Sequence, residues 1–393
     1  MIDKWNFDEV IERRDSDSIK WDSDFLKEYF KGEDLLPLWV ADMDFRSPQQ
    51  VIDALISRAA HGIYGYSSPG SSEYYASVIS WFKRRYNWSL DKEWFIFTPG
   101  VVPACYYIIQ RFSHPGDKVI IQDPVYYPFA MGIKNNGRIA VSNQLSLENN
   151  YYKMDFEDLE KKAKDPLAKL LILCSPHNPV GRVWTKDELK QLGEICIANN
   201  ILVVSDEIHC DLTFPPAKHT VFATLSEEFA QNSIICTAGS KTFNLAGLHH
   251  SNIIIKNTAL REELKAQMKI NGYSTPNVFG AIALQTAYEE CEDWLEALME
   301  YLQKNLIFLK NYFKENLPEV SVIEPEGTYL IWVDFRKFNL TPKELQAKLI
   351  DAKVALDPGY IFGVGGEGFE RINIACPKAT LEEALDRIVK ALR

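Results

Sequence analysis

Three polar residues that could bind and activate a cofactor each come shortly after an apolar run. They are Asn178, Asp206 and Lys241, and the runs before them have the length and composition of buried strands. The carboxyl ends of parallel strands meet at one edge of an open α/β sheet, where ligands gather. A lysine amine at that edge can form a Schiff base, and a carboxylate can hold a protonated pyridine nitrogen. These residue types therefore predict a pyridoxal phosphate (PLP) site.

Each of these residues also has a purely structural interpretation. A lysine stem at a strand end often covers apolar surface, and Asp206 could cap a helix or form an ion pair instead of facing a cofactor. His209 could orient Asp206, approach the cofactor ring oxygen or be an ordinary buried histidine. The turn residue Asn178 offers a donor and an acceptor, which suit a ring oxygen and a substrate carboxylate.

A phosphate site is predicted where residues 98–104 lead into an apolar helix. A glycine before a helix start exposes backbone N–H groups, and the helix dipole favours an anion there. We therefore expect Gly100, Val101 and Val102 to hold the phosphate group, with the Ser240 hydroxyl as a further donor.

Two further side chains are candidates for contact with a cofactor and a substrate. Tyr126 follows a strand-like run and either stacks on a flat cofactor or packs in the core. Arg371 lies in an alternating strand, where its guanidinium needs an anionic partner. That partner is either a substrate carboxylate, which a guanidinium binds through two hydrogen bonds, or a structural salt bridge.

Two motif matches carry no functional prediction. Residues 363–368 match G-x-G-x-x-G, but a strand rather than a helix follows them, so we interpret them as a loop. His249 and His250 are adjacent, and neighbouring strand residues point to opposite faces, so we predict no metal site.

The bulk composition is that of an ordinary soluble globular protein. The chain has 393 residues, a hydrophobic fraction of 46% and a charged fraction of 25%. Its net charge of −11 and the lack of a basic stripe argue against nucleic acid as a partner. The seven cysteines include no C-x-x-C pair, which favours a reducing compartment. We find no signal peptide and no membrane-spanning run, and we expect a cytoplasmic protein.

The order of patterned segments predicts an α/β protein with a mostly parallel sheet. Residues 1–45 show little periodicity and suggest an arm, after which helix-like and strand-like segments alternate. From Val320 onward, the pattern predicts an α+β segment. We expect an N-terminal arm and part of the small domain at 1–47, a large cofactor-binding domain at 48–288 and a small domain at 289–393.

The motifs resemble a known group of enzymes over the whole chain. Asn178-Pro-Val-Gly, Ser240-Lys241-Thr-Phe-Asn and Arg371-Ile-Asn373 resemble fold-type I PLP enzymes of the class I/II aminotransferase superfamily. The run at 38–45 (LWVADMDF) and the DEIH motif at 206–209 are similar to the MalY/PatB-type cystathionine β-lyases, or C–S lyases. The N-terminal segments at 7–14 and 20–22 and the Tyr64-Gly65-Tyr66 motif are also similar to that branch.

The resemblance assigns a role to each candidate residue. Lys241 bonds to the cofactor and Asp206 contacts the pyridinium nitrogen, while Asn178 and His209 lie near the ring oxygen. Tyr126 stacks on the ring with Tyr127 close by, and the phosphate is held by Gly100, Val101, Val102 and Ser240 and by Tyr66 of a neighbouring subunit. The substrate is contacted by Arg371, which binds its α-carboxylate, and by Asn178, Ala41 and Tyr66. Two positions differ from the broader superfamily: His209 replaces a common tyrosine, and His249 replaces a phosphate-binding arginine.

The implied reaction is α,β-elimination at a carbon–sulfur bond, with Lys241 as the base that removes the α-proton. Cystathionine would give homocysteine, pyruvate and ammonia, and cysteine would give hydrogen sulfide. The implied assembly is a homodimer with shared active sites. Two alternatives stay open: an aminotransferase on the same scaffold, and a PLP-binding regulatory protein that contacts a transcription factor.

Overall fold

The computed structural model describes residues 5–68, 70–273 and 275–393. The helices are α1 (Ser23–Phe30), α2 (Gln49–Ala60), α3 (Ser72–Tyr86), α4 (Val101–Phe112), α5 (Pro128–Asn135), α6 (Phe156–Ala163), α7 (Lys186–Ala198), α8 (Glu227–Gln231), α9 (Thr258–Ile270), α10 (Val278–Glu290), α11 (Glu292–Asn316), α12 (Pro342–Asp351) and α13 (Lys378–Leu392). The strands are β1 (Leu36–Pro37), β2 (Phe95–Thr98), β3 (Lys118–Ile121), β4 (Ile139–Ser142), β5 (Ser146–Glu148), β6 (Tyr151–Lys153), β7 (Ala168–Cys174), β8 (Leu202–Asp206), β9 (Ser233–Thr237), β10 (Ser251–Ile254), β11 (Ser321–Val322), β12 (Leu330–Asp334), β13 (Val354–Ala355), β14 (Asp357–Pro358) and β15 (Phe369–Asn373).

A seven-stranded sheet forms the centre of the molecule. Its strand order is β2-β10-β9-β8-β7-β3-β4. Strand β10 is antiparallel to both of its neighbours, and the other pairs are parallel. The prediction of an α/β protein with a mostly parallel sheet is thus confirmed. Because β7, β8 and β9 are adjacent and parallel, their carboxyl ends meet at one edge of the sheet.

Both faces of this sheet are buried. Along β7, Leu171 and Leu173 pack into one hydrophobic core, and Leu170 and Ile172 pack into the other. Successive side chains of a strand point to opposite faces, so a strand covered on both sides must be apolar throughout. This requirement explains why the strands before the candidate residues appear in the sequence as continuous apolar runs.

A second, antiparallel sheet has the order β11-β12-β15-β14. Its register places Arg371 of β15 opposite Trp332 of β12 on one side and Asp357 of β14 on the other. The parallel pair β1–β13 joins the N-terminal segment to the C-terminal part of the chain, with Leu36 opposite Val354. The division into units at residues 48 and 289 stays a prediction.

The N-terminal segment differs from the sequence-based expectation, because helix α1 forms where no periodicity was predicted. The Asp22 side chain accepts a hydrogen bond from the Phe25 N–H and caps the helix, which buries Leu26 and Phe30. Helix α4 also begins earlier than predicted, at Val101, since its proline at position 103 lies in the first turn, where no backbone donor is needed. Within the described residues, no helix has the length and apolar character needed to cross a membrane.

Candidate active site

The carboxyl edge of the large sheet opens into a cavity of about 380 Å³. Asp206 is the last residue of β8, Asn178 follows β7 in a turn, and Lys241 follows β9, and all three line this cavity. Most of the other predicted site residues line the same space, namely Ala41, Gly100, Val101, Val102, Tyr126, His209 and Ser240. The fold thus brings together residues that are up to two hundred positions apart in the sequence.

Three predicted site residues do not line this cavity in the single chain. The Arg371 side chain is 2% exposed and reaches the cavity through Asn178. Tyr127 is half-buried, and its ring packs edge-on against Phe362. Tyr66 is fully exposed on the surface, so its predicted contact with a neighbouring subunit stays a prediction.

The Lys241 amine is held by a backbone acceptor. Its Nζ donates a hydrogen bond of 2.7 Å to the carbonyl oxygen of Ala41, which also accepts a bond of 3.0 Å from the Tyr329 hydroxyl. Burial lowers the pKa of Lys241 to about 8, and the nearby Arg371 charge acts in the same direction, while Asp42 and Asp206 oppose the change. A neutral amine, which is the form that attacks an aldehyde or takes a proton, is therefore accessible at mildly alkaline pH.

The segment 39–43 offers a row of carbonyl oxygens to side chains of the site. Arg371 donates to Trp39 O at 2.8 Å, and Asn373 donates to Val40 O and Asp42 O, both at 2.6 Å. Asn244 donates to Met43 O at 3.0 Å and accepts from the Met43 N–H at 3.0 Å. These bonds connect the loop after Lys241 and the strand that carries Arg371 to one stretch of backbone.

A largely buried ionic network also contacts the same segment. Arg13 contacts Asp42 at 2.7 Å and Asp44 at 2.6 Å, and Lys20 contacts Asp44 at 2.7 Å. The Lys20 side chain is 1% exposed, so its charge depends on these carboxylates. The polar N-terminal part of the chain therefore stabilises the segment 39–43, which contacts the site.

Asp206 and His209 form the part of the cavity suited to a heterocyclic ring. One Asp206 oxygen accepts a hydrogen bond of 3.1 Å from the Ile208 N–H. Burial raises the pKa of Asp206 to about 7, so a cation beside it is needed to keep it fully ionised. Burial, with the Lys241 and Arg371 charges, holds the pKa of His209 well below its ordinary value, so the imidazole is neutral. Its Nδ1 is buried without a partner within the described residues.

The other end of the cavity suits a phosphate group. Gly100 is the N-cap of α4 and provides no side-chain cap, so the first N–H groups of the helix are available to an anion. Ser240, His249 and His250 also line the cavity. Lys241 is the lysine that lines the cavity, and no arginine lines it in the described part of the chain. Hydrogen-bond donors and the helix dipole must therefore balance most of the charge of a phosphate group.

The guanidinium of Arg371 contacts both a residue that lines the cavity and a carboxylate of the same chain. It donates to Asn178 Oδ1 at 2.9 Å, toward the cavity, and also forms a buried ion pair with Asp357. The structural salt bridge is therefore present, and the binding of a substrate carboxylate by Arg371 stays a prediction. Asp357 was missed, although a carboxylate that follows the apolar run 354–356 is a signal of the same kind as the one that identified Asp206.

The residues present fit PLP. An acidic group, a lysine amine and a helix N-terminus surround one cavity, and they match the ring nitrogen, the aldehyde and the phosphate of the cofactor. Tyr126 lies beside the same space, and burial raises the pKa of its hydroxyl, which keeps it neutral. The buried, unpartnered His209 Nδ1 is a polar atom that a ligand in the cavity can satisfy.

Comparison with known proteins agrees with this geometry. The family model "Aminotransferase class I and II" matches residues 33–388. The chain belongs to the class I and II aminotransferase family. This membership confirms the predicted aminotransferase-like fold.

Comparison with individual relatives shows which branch of this family the chain resembles. It is 44% identical to the cystathionine β-lyase PatB of Bacillus subtilis, over 98% of this chain and all of the relative. It is 33% identical to the MalY protein of Escherichia coli, over 99% of both chains. The crystal structure of cystalysin from Treponema denticola, which contains a PLP cofactor, is 41% identical with a TM-score of 0.95, covering 99% of this chain and 98% of that one. The predicted resemblance to the MalY/PatB branch is confirmed.

Proposed function

We propose that this protein is a PLP-dependent carbon–sulfur lyase that acts on cysteine-derived amino acids such as cystathionine. The observation that carries the proposal is the half-buried Lys241, whose amine is held by Ala41 O in a cavity that Asp206 and Asn178 also line. Further support comes from the near full-length similarity to a cystathionine β-lyase. Elimination from cystathionine, followed by hydrolysis of the eliminated product, would yield homocysteine, pyruvate and ammonia. The same reaction of cysteine would yield hydrogen sulfide, pyruvate and ammonia.

When bound, the cofactor supplies an electron sink for the charge that develops at the substrate α-carbon. Asp206 would hold the ring nitrogen, Asn178 and His209 would lie at the ring oxygen, and Tyr126 would stack on the ring, with Tyr127 beside it. The α4 N-terminus (Gly100, Val101 and Val102) and Ser240 would hold the phosphate. A cationic nitrogen near Asp206 lowers the pKa of this carboxyl, so Asp206 is ionised in the loaded enzyme.

Lys241 would be the base of the reaction. The Ala41 carbonyl accepts one N–H of the amine, which restricts where the lone pair can point. Since its pKa is about 8, the amine exists partly in neutral form at physiological pH and can remove the α-proton. Ala41 belongs to the site through this carbonyl.

Arg371 and Asn178 would bind the substrate α-carboxylate. The two side chains are joined by the 2.9 Å bond from Nη1 to Oδ1, which leaves the amide NH₂ of Asn178 available as a donor. A carboxylate that contacts both groups is oriented, so that the α-proton faces one defined side of the site.

A product assay separates this function from transamination. The protein is loaded with PLP and incubated with cystathionine in the absence of any 2-oxo acid, and pyruvate and free thiol are measured. We expect both products in equal amounts. An aminotransferase instead gives neither without an acceptor and consumes a 2-oxo acid when one is added. A lack of pyruvate from cystathionine, cystine and cysteine alike would overturn the lyase assignment.

The proposal includes a homodimer. The segment 61–66 is exposed, with Ile63 and Tyr64 at 67% and 59% exposure and Tyr66 fully so. Exposed aromatic and aliphatic side chains in one segment are typical of a surface covered by another subunit. Tyr66 would then contact the phosphate and the substrate in the neighbouring site. A cytoplasmic location and the three-part division at residues 48 and 289 complete the proposal.

A further inference from the structure

Arg371, the substrate-carboxylate ligand in the function proposed above, already has a carboxylate partner within this chain. Its Nη2 donates to Asp357 Oδ2, and the two residues are opposite each other in the β14–β15 pair. The side chains are 2% and 1% exposed, so solvent does not screen the contact. Any carboxylate that reaches Arg371 therefore meets a guanidinium whose charge is already neutralised.

Asp357 is not required to keep the guanidinium in place. The Nη1 atom donates to Asn178 Oδ1 at 2.9 Å, and Nη2 donates to Trp39 O at 2.8 Å. Two neutral acceptors thus orient the group from two directions. The distinct contribution of Asp357 is its negative charge.

The negative charge of Asp357 has little stabilisation other than its contact with Arg371. Asp357 Oδ1 is buried without a hydrogen-bond partner in the described residues. Burial raises the pKa of Asp357 to about 6, although Arg371 acts in the opposite direction. Arg371 Nε is likewise buried and unpartnered. Each member of the ion pair therefore keeps one buried polar atom without a hydrogen-bond partner in the described residues.

We propose that Asp357 acts as a built-in counter-ion to Arg371 that weakens the binding of α-carboxylates and so sets the affinity of the site for amino-acid substrates and for pyruvate. Two like charges near one guanidinium repel each other, and the repulsion is strong where water is excluded. The binding of substrate and product is weakened alike, which favours product release. The role of Arg371 rests on the proposed function, but the contact between the two residues does not.

The test uses a carboxylate that cannot react. The affinity of propionate for the PLP-loaded protein is measured by titration calorimetry, in the wild type and in Asp357→Asn, which keeps the shape and removes the charge. We expect Asp357→Asn to bind propionate at least about tenfold more tightly. The KM for cystathionine should fall in the same direction, and pyruvate should become a stronger inhibitor.

Three controls locate the effect. Propionamide, which has no charge, should not distinguish the two proteins. Arg371→Gln should lose the enhanced propionate binding when it is combined with Asp357→Asn. Asp334→Asn removes another carboxylate of the same sheet, which pairs with Arg336 and does not line the cavity, and should leave propionate affinity unchanged.

If Asp357→Asn folds poorly, Asp357→Ser provides a second variant, and a thermal melt provides a second measurement. The unpaired Arg371 charge should lower Tm, and propionate should restore Tm more than it raises the wild-type value. Unchanged or weaker propionate binding in a folded variant overturns the proposal. Because propionate binding needs no turnover, this result is independent of whether the lyase assay succeeds.

Discussion

The Nζ atom of Lys241 lies 2.7 Å from the carbonyl oxygen of Ala41, two hundred residues earlier in the chain. The bond joins the residue after β9 to the segment 39–43, whose other carbonyls are bound by Arg371, Asn373 and Asn244. One piece of backbone therefore contacts both Lys241 and Arg371, the proposed base and the proposed carboxylate ligand. The position of the reactive amine depends on a segment that itself carries no obvious catalytic group.

The depressed pKa of Lys241 predicts how the apoprotein captures its cofactor. Above a pH of about 8 the amine is neutral and attacks the PLP aldehyde, and below it the ammonium form does not. We expect the rate constant for covalent incorporation to rise with pH and to level off above about 8 rather than near the ordinary lysine value of 10.5. Stopped-flow absorbance measures the rate. A rate that keeps rising in proportion to hydroxide up to the ordinary value would contradict the prediction.

Replacement of the lysine separates covalent attachment from binding. We expect Lys241→Ala to lose the absorption at ~420 nm that is typical of lysine-bound PLP. Elimination should slow by about 10²–10⁴-fold, because the general base is gone. Non-covalent cofactor binding, followed by tryptophan fluorescence, should persist through Asp206 and the α4 N-terminus. An unchanged spectrum would exclude Lys241 as the attachment site.

Asp206→Asn tests the acidic group under the proposed ring position. Asparagine retains an oxygen that can accept the Ile208 N–H bond, so the local structure should survive. It cannot balance a cationic nitrogen, and we expect the elimination rate to fall by about 10²-fold or more. The measurement is kcat for pyruvate formation together with cofactor affinity. Equal rates in the two proteins would show that the carboxylate charge plays no part.

Asn373→Ala tests the support of the segment 39–43. The substitution leaves the Val40 and Asp42 carbonyls without their amide donor and the Ala375 N–H without its acceptor. We expect the free energy of unfolding to fall by about 2 kcal/mol, because three hydrogen bonds are lost and Asn373 and Ala375 are buried. Urea denaturation measures the change.

A matched control for that variant is Asn199→Ala. The Asn199 side chain makes one hydrogen bond of 2.8 Å, to Ile195 O at the end of α7, far from the cavity. It should cost about 1 kcal/mol or less and leave cofactor affinity unaltered. Similar losses in both variants would show that the segment 39–43 has no special dependence on Asn373.

Tyr66 can be tested by mixing subunits. If Tyr66 completes the site of a neighbouring subunit, Tyr66→Ala and Lys241→Ala are each inactive alone. Random exchange of subunits then creates mixed dimers with one intact site, and about a quarter of the wild-type activity should return. The activity of the mixture, compared with each variant incubated alone, provides the measurement. No gain of activity on mixing, with exchange verified by mass spectrometry, would argue against a shared site.

The sequence by itself predicted a mostly parallel sheet and the main chemical groups at its edge. Asn178, Asp206 and Lys241 were found because each follows an apolar run, and a strand buried on both faces must be apolar along its whole length. The phosphate site was predicted because a glycine before an apolar helix exposes N–H groups, and the structure places Gly100 at the cavity. These signals are local properties, and local properties can be recognised in a short stretch of consecutive residues.

The tertiary structure alone decided which partners those groups have. The acceptor of the Lys241 amine is a backbone carbonyl, and every residue carries one, so no residue type marks Ala41 for this contact. The pairing of Arg371 with Asp357 depends on the register of β14 against β15, which short strands do not specify by themselves. Helix α1 was missed because it has only 8 residues, too few to show a clear periodicity, and contacts with distant parts of the chain stabilise it. Interactions across long sequence separations depend on how the elements pack, and that packing is a property of the whole chain.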